Sequence, residues 1–178
     1  MSTHTKQICL IAVGIALFVA LSLCLQVPVF ENYYLCLGYV VMAVYCYSFG
    51  PGSGALVGCL GVVLYCLVIN GLRGMPGWAL GNIVIGVLLG LAFRASKKWE
   101  KPVPKAILHV ATVVISVALG ILVIKSETES LLYAQPFLIR VGKNVYAFVA
   151  DTVVLIVSLP ICVILDIQAK KMLPNLAK

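Results

Sequence analysis

The chain has 178 residues, of which 62% are hydrophobic and only 11% are charged, and its mean hydropathy is +1.11. Soluble domains carry roughly 45–50% apolar and about 25% charged residues, so this composition excludes an ordinary soluble domain. The net charge is +7, but the basic residues lie beside apolar runs and no aromatic-basic platform accompanies them, which argues against nucleic-acid binding. We interpret residues 1–178 as one integral membrane domain that has membrane lipid around it.

The apolar residues form runs close to the ~20 residues that are needed to cross a bilayer. Glycine and proline interrupt these runs, most clearly at GPG, residues 50–52. This break disfavours a four-span interpretation in which two neighbouring runs fuse into one helix. Taken in chain order, the runs predict an all-α protein with six transmembrane helices, approximately at residues 8–27, 33–49, 53–70, 78–93, 106–124 and 145–167.

The basic residues beside these spans predict the orientation. With six crossings, both termini share one side of the membrane, and that side holds nine basic residues while the other side holds four. The positive-inside rule therefore predicts that both termini are cytoplasmic. The nine are Lys6, Arg94, Lys97, Lys98, Lys101, Lys105, Lys170, Lys171 and Lys178, and the four are Arg73, Lys125, Arg140 and Lys143.

Catalytic motifs are scarce in this sequence. Of six acidic residues only Asp151 lies well inside a span, and neither HExxH nor a pair of intramembrane carboxylates occurs. Ser53 and His109 are the remaining candidate dyad, but Pro51 and Gly52 precede the serine, so no G-x-S-x-G elbow is present. The seven cysteines form no CxxC pair. The sequence therefore predicts no enzyme, no metal site and no cofactor.

Small residues recur at helical spacing. Ala12, Ala16 and Ala20 lie four residues apart in the first span, and glycines repeat in the third and fourth spans. In lipid, small side chains let helix backbones approach closely. For the glycines we expect packing inside the bundle. The alanine row fits equally well a contact with another helix of this chain or with a separate subunit.

The order and placement of these features resemble one family, the substrate-binding S components of energy-coupling factor (ECF) transporters. The resemblance rests on six spans, cytoplasmic termini, the A-x-x-x-A-x-x-x-A row at Ala12, Ala16 and Ala20, the turn FGPGSGALVG at residues 49–58, and GMPGWALGNIVIG at residues 74–86. It covers essentially the full length.

This resemblance implies a high-affinity substrate-binding subunit of a prokaryotic cell-membrane importer. Such a subunit captures a vitamin or related micronutrient outside and delivers it inward after docking on a transmembrane coupling subunit, which two cytoplasmic ATPase subunits drive. In that family the alanine face of the first helix meets the coupling subunit. This chain would not hydrolyse ATP, and it has no G-x-x-x-x-G-K-[ST] phosphate loop.

If the resemblance holds, the binding pocket opens to the outer side, between the loops after spans 1 and 3 and the outer ends of spans 4 to 6. Trp78 is suited to stacking on a flat ring, and Asn82 and Asn144 could supply donors and acceptors to its edge. Asp151 lies two turns deeper than Asn144 on the same helix face, where an ionisable group is expensive unless it faces a cavity or a partner. The predicted substrate-binding residues are Asn32, Tyr34, Arg73, Trp78, Asn82, Arg140, Asn144 and Asp151.

Several alternatives stay open at this point. The polar and aromatic residues beside the spans could instead be interfacial anchors, and Asp151 could serve only to hold the bundle together. Pantothenate, riboflavin, a pyridoxine-like or pyrimidine precursor and a corrinoid all remain candidate cargoes. The competing classes are a small secondary transporter that works without ATPases, which should show internal repeats and several intramembrane charges, and a membrane scaffold that transports nothing.

Overall fold

The computed structural model describes residues 3–24, 27–30, 33–69 and 71–172. The described chain is helical apart from one two-stranded hairpin. The elements in order are α1 (Thr3–Cys24), β1 (Val27–Phe30), β2 (Tyr33–Leu35), α2 (Gly38–Phe49), α3 (Pro51–Val68), α4 (Met75–Ser96), α5 (Pro102–Val117), a π-helix (Ala118–Lys125), α6 (Ser126–Tyr133) and α7 (Phe137–Met172).

Within the described part of the chain, five helical segments are long and apolar enough to cross a membrane: Thr5–Cys24, Pro51–Val68, Met75–Ser96, Pro102–Tyr133 and Phe137–Met172. The predicted second span is α2, which has 12 residues and a length of about 18 Å, less than the ~30 Å hydrocarbon core. The helical membrane architecture is thus confirmed, and six crossings with cytoplasmic termini remain a prediction.

Two predicted spans have different bounds in the structure. Tyr33–Leu35, expected to begin the second span, instead forms β2, which pairs antiparallel with β1. The all-α fold class is confirmed for the described residues apart from this short hairpin. Residues rich in valine and aromatic side chains favour strands. The fifth predicted span continues as helix beyond residue 124 to Tyr133, because buried Ser126 and Glu129 have polar partners on α7.

Helix α2 is at the centre of the bundle, in contact with α1, α3, α4 and α7. Nine of its 12 residues are buried, among them Tyr39 and Met42, which are fully enclosed. The turn from α2 to α3 is made by Gly50, whose φ of 94° is readily adopted only by glycine. Pro51 then begins α3, where its missing N–H costs nothing.

The fourth helix packs closely on the third. A Cβ added at Gly86 would come within 2.6 Å of the Ala55 Cα, so this pair of backbones can approach only because residue 86 has no side chain. The expectation that these glycines serve packing inside the bundle is confirmed at this crossing. Large apolar side chains of α1, α5 and α7 remain exposed, as expected for helices surrounded by lipid.

The two ends of the bundle differ in chemistry. We call one the basic end, where Gln7, the α2–α3 turn, Arg94 and Lys97 line a common cavity of about 510 Å³. The Lys97 Nζ lies 3.9 Å from the Asp166 Oδ1 of α7, so the ends of α1, α4 and α7 meet there. We call the other the hairpin end, where β2 lies beside the α3–α4 connection.

Candidate functional site

The hairpin end encloses a cavity of about 210 Å³, which we call the inner cavity. Residues from α3, α4, α7, the π-helix and the segment after β2 converge on it. Its lining is mostly apolar and aromatic with one cation and one anion, as is common for small-molecule sites. The lining residues are Leu35, Cys36, Tyr65, Cys66, Ile69, Gly71, Gly74, Trp78, Lys125, Ala147 and Asp151.

The ring of Trp78 is held by a relay of hydrogen bonds. Its Nε1 donates to the Tyr39 hydroxyl at 2.8 Å, and that hydroxyl donates to the Asn82 Oδ1 at 2.8 Å. The Asn82 Nδ2 in turn donates to the Gly58 carbonyl oxygen at 3.0 Å. Tyr39 and Asn82 are fully buried. The relay therefore fixes the plane of Trp78 before any ligand arrives.

Aromatic and charged groups surround this ring inside the inner cavity. Tyr65 meets Trp78 edge to face, with 5.8 Å between ring centroids, and the Lys125 Nζ lies 5.9 Å from the Trp78 centroid. Asp151 lines the same cavity and interacts electrostatically with Lys125. Both charged residues are buried, with 9% and 4% of their surfaces exposed. Oppositely charged groups can share such a site because each compensates the other.

A second cavity of about 450 Å³, which we call the vestibule, lies next to the inner cavity. Gly74 lines both cavities, so they meet at the α3–α4 connection. The vestibule carries more positive than negative charge, since three cations accompany one carboxylate. Its lining residues are Arg73, Gly74, Glu129, Tyr133, Gln135, Arg140 and Lys143.

Glu129 organises the wall of the vestibule. Its carboxylate lies 3.6 Å from the Arg140 guanidinium and accepts a hydrogen bond from the Asn144 Nδ2 at 3.3 Å. The Asn144 Nδ2 also contacts the Ser126 Oγ at 3.0 Å. Tyr133 is covered by Arg140, with 5.4 Å between the guanidinium and the ring centroid. These contacts join α6 to the beginning of α7.

The structure separates the predicted site residues into groups. Trp78 and Asp151 line the inner cavity, and Arg73 and Arg140 line the vestibule. The Asn82 side chain bonds to Tyr39, which in turn holds Trp78, and to the Gly58 carbonyl oxygen. The Asn144 side chain bonds to Ser126 and to Glu129, which lines the vestibule. Tyr34 lies in β2, but its side chain and the whole of Asn32 are outside the described residues.

Sequence reasoning did not single out Lys125, Tyr65, Tyr39 or Glu129 for the site. In the sequence, Lys125 is only one of the four basic residues that flank the spans on the predicted outer side. It ends the π-helix, where the wider turn makes extrapolation from α-helical spacing unreliable. A lysine at the end of a long apolar run is a weak signal for burial, and the two tyrosines carry no signal beyond their position in an apolar run.

The alanine row of α1 is exposed along its whole length. Ala12, Ala16 and Ala20 are all exposed, whereas Gly14 and Phe18, on another side of the helix, are buried against the rest of the chain. Among the described residues, this row therefore does not serve a tight internal helix contact. A partner or lipid can cover it.

The candidate dyad of Ser53 and His109 has a structural explanation. His109 is buried at the basic end, where its Nε2 lies 2.6 Å from the Ser96 Oγ and its ring packs edge to face on Phe93. The hydrogen-bond partner of His109 is thus Ser96, and Ser53 lies in the first turn of α3.

A bundle of membrane-spanning helices with an aromatic and charged cavity at one end defines the general class, an integral membrane protein that binds a small molecule. Residues 2–166 match the family described as ECF-type riboflavin transporter, S component. The chain belongs to this family, as the resemblance predicted. It is accordingly a substrate-binding transport protein of the cell membrane, and the family is not one of enzymes.

A similar protein is UPF0397 protein str0306 of Streptococcus thermophilus (strain CNRZ 1066). It is 26% identical to this chain over 156 residues, which cover 80% of this chain and 84% of the relative. The matched regions thus include most of both proteins.

Proposed function

We propose that this chain captures a flat heteroaromatic vitamin, with riboflavin as the first candidate, from the outer side of the cell membrane. The observation that carries the proposal is the inner cavity, in which a preset Trp78 ring faces a buried Lys125 and Asp151. The family description supports riboflavin as the first compound to test. The hairpin end would face outward, as the distribution of basic residues predicts.

The contacts around Trp78 support tight binding of a planar ring. Offset or edge-to-face aromatic pairs contribute about 0.5–1.5 kcal/mol beyond the burial of area. Because Tyr39 already holds the indole, little conformational entropy remains to be lost when a ligand stacks on it. The adjoining vestibule, with Arg73 and Lys143 at its wall, would accept a hydroxyl-rich or anionic tail of the ligand.

Delivery inward would depend on partners, namely a transmembrane coupling subunit and two cytoplasmic ATPase subunits. We assign docking on the coupling subunit to the face formed by Ala12, Ala16 and Ala20. Its exposure supports this assignment, because small side chains in a row let a second helix approach closely in lipid.

The binding half of the proposal is tested with the purified chain in detergent. Riboflavin, pantothenate, pyridoxine, thiamine and a corrinoid are added one at a time, and the thermal unfolding midpoint is recorded. Riboflavin at 100 times its Kd should stabilise the fold by about 2.7 kcal/mol. No shift with any of the five compounds would contradict a vitamin-binding function and would favour a scaffold.

The coupling half is tested in proteoliposomes that contain the chain with or without the coupling subunit and the two ATPases. We expect uptake of radiolabelled riboflavin only in the complete assembly, and only when ATP is present on the cytoplasmic side of that assembly. Uptake by the isolated chain, driven by an ion gradient, would instead identify a secondary transporter.

A further inference from the structure

We propose that the cavity at the basic end binds the phosphate group of an anionic phospholipid from the cytoplasmic leaflet of the membrane. We call this cavity of about 510 Å³ the basic cavity. Its wall is formed by the start of α1, the α2–α3 turn with the first turn of α3, and the end of α4. The proposal is independent of the vitamin at the hairpin end, because the residues that line the basic cavity are all different from those of the inner cavity and the vestibule.

The first argument is the N-terminus of α3, which lines the basic cavity. The first N–H groups of a helix have no partner within the helix, and together with the helix dipole they favour an anion. Pro51 has no N–H to offer, and the Gly54 N–H is bonded to the Gly50 carbonyl oxygen at 3.2 Å. In the described part of the chain, the donors left in this turn are the N–H groups of Gly52 and Ser53. Gly52 is exposed, and a Cβ built on it would meet nothing within 4 Å, so a phosphate oxygen can reach this backbone.

The second argument is the side chain of Ser53, which is independent of the helix terminus. Only 4% of the Ser53 surface is exposed, and the residue lines the basic cavity. Its hydroxyl does not cap α3, and it has no hydrogen-bond partner among the described residues. A buried hydroxyl without a partner is costly. A phosphate oxygen in the basic cavity would supply the missing acceptor.

The third argument is the positive charge beside this turn. Arg94 is exposed at the basic cavity and forms no ion pair with any residue that the structure describes. The Lys97 Nζ makes no hydrogen bond within the same part of the chain, and its ion-pair partner, the Asp166 Oδ1, lies 3.9 Å away. The other oxygen of Asp166 is held by Lys170 at 2.7 Å. One carboxylate thus accompanies three cations, and this excess of positive charge favours an anionic ligand.

The apolar part of the lining favours a lipid over a soluble phosphate. Ile11 on α1, Phe49 at the end of α2 and Leu56 on α3 line the basic cavity together with its polar groups. Leu56 is 47% exposed and lies one turn after Gly52 on the same face of α3. The basic cavity therefore continues from an anion-binding turn onto an apolar helix surface, which suits a headgroup that carries acyl chains. Basic pockets between transmembrane helices on the cytoplasmic side are a known type of phospholipid site.

The test measures lipid binding by the purified full chain in detergent micelles. Phosphatidylglycerol, phosphatidylcholine with the same acyl chains, and sn-glycerol 3-phosphate are added separately, and the thermal unfolding midpoint is followed against concentration to obtain an apparent Kd. We expect phosphatidylglycerol to bind at least about tenfold more tightly than either other compound. Equal binding of phosphatidylcholine would remove the preference for an anion, and equal binding of glycerol 3-phosphate would assign the basic cavity to a soluble phosphate. Either result overturns the proposal.

Three single variants separate a defined site from general attraction by basic residues. Ser53→Ala removes a hydroxyl and no charge, and it should weaken phosphatidylglycerol binding at least about fivefold, because hydrogen bonds to charged groups are stronger than neutral ones. Arg94→Gln should weaken it about tenfold. The matched control Lys98→Gln removes the same charge from an exposed residue outside the lining of the basic cavity. It should bind within about twofold of the wild type.

The variants also give the results that would overturn the proposal. Wild-type affinity in Ser53→Ala, or equal losses in Arg94→Gln and Lys98→Gln, would show that surface charge alone attracts the lipid. The midpoints without lipid show directly whether each variant is folded. In bilayers of pure phosphatidylcholine, Arg94→Gln should still assemble with the coupling subunit as the wild type does. Failure to assemble there would assign the basic cavity to an acidic side chain of that subunit instead of a lipid.

Discussion

Removal of the Tyr39 hydroxyl tests the relay that presets the candidate site. In Tyr39→Phe the Trp78 Nε1–H loses its acceptor and the Asn82 Oδ1 loses its donor. Asn82 is fully buried, whereas Trp78 is partly buried and lines the inner cavity. Phenylalanine keeps the ring and its edge contact with Phe18, whose centroid lies 6.2 Å away. The change therefore removes these two hydrogen bonds, together with the interaction of the hydroxyl with Asp151, and almost no packing.

The size of the effect follows from these two bonds. A buried hydrogen bond contributes about 1 kcal/mol net, and interhelical bonds in membranes average about 0.6 kcal/mol. Tyr39→Phe should lower the free energy of unfolding by about 1–2 kcal/mol. The released Trp78 ring should also lower the affinity for riboflavin about five- to tenfold, which is roughly 1 kcal/mol.

The chain has two tryptophans. The assay uses a Trp99→Phe background, so that all tryptophan fluorescence comes from Trp78. Unfolding free energy is measured by denaturant titration, and the emission maximum of Trp78 reports the environment of its indole. Asn82→Leu combined with Tyr39→Phe completes a double-mutant cycle, and the coupling energy should be about 0.6–1.7 kcal/mol. Unchanged stability together with an unchanged emission maximum in Tyr39→Phe would refute the relay.

Three further changes test other parts of the account. Ala16→Trp should leave riboflavin binding by the isolated chain intact and abolish ATP-driven uptake, because the large ring holds the coupling helix away. The control Val157→Trp, at a residue of α7 that is 63% exposed, should transport normally. ATP-driven uptake by Ala16→Trp would show that the alanine face is not the docking surface. Gly86→Leu should prevent folding, because even a Cβ would lie 2.6 Å from the Ala55 Cα. In the control Gly142→Ala the added Cβ meets nothing within 4 Å, so this variant should unfold like the wild type. A thermal unfolding midpoint of Gly86→Leu equal to that of the wild type would contradict the close α3–α4 crossing. Burial lowers the pKa of Lys97, at the basic end, below its ordinary value of 10.5, although Asp166 opposes this shift. At this residue the unfolded chain then binds more protons, so the contribution of Lys97 to stability should rise as the pH rises toward 10.5. The difference in unfolding free energy between the wild type and Lys97→Met should therefore change with pH in that direction, whereas exposed Lys98→Met should differ from the wild type by the same amount at each pH. A pH-independent difference for Lys97→Met would contradict the shift.

Much of the fold follows from hydrophobic runs and the residues that break them. The run lengths predicted the long helices, and Gly50 with Pro51 predicted the turn between α2 and α3. Burial of Asp151 was also predictable, because an ionisable residue deep in a span has to face a cavity or a partner. The structure places it in the inner cavity with Trp78.

The remaining features depend on contacts distant in sequence. Tyr33–Leu35 forms a strand because β1 is available to pair with it, and no local pattern distinguishes it from the start of a helix. Polar residues 126–130 resemble a loop, but Glu129 is helical and buried against Arg140 and Asn144. Asn82 is buried in α4, and its amide faces Tyr39 and Gly58, because helical spacing predicts a face and not a hydrogen-bond partner.

We propose that a flat vitamin binds in the inner cavity against Trp78. The most direct measurement is a titration of the purified Trp99→Phe chain with riboflavin, followed by the fluorescence of Trp78. We expect saturable quenching with one ligand per chain, and a much weaker response when Lys125→Met and Asp151→Leu are introduced together. Riboflavin binding with an unchanged Trp78 signal would place the ligand elsewhere and contradict the account.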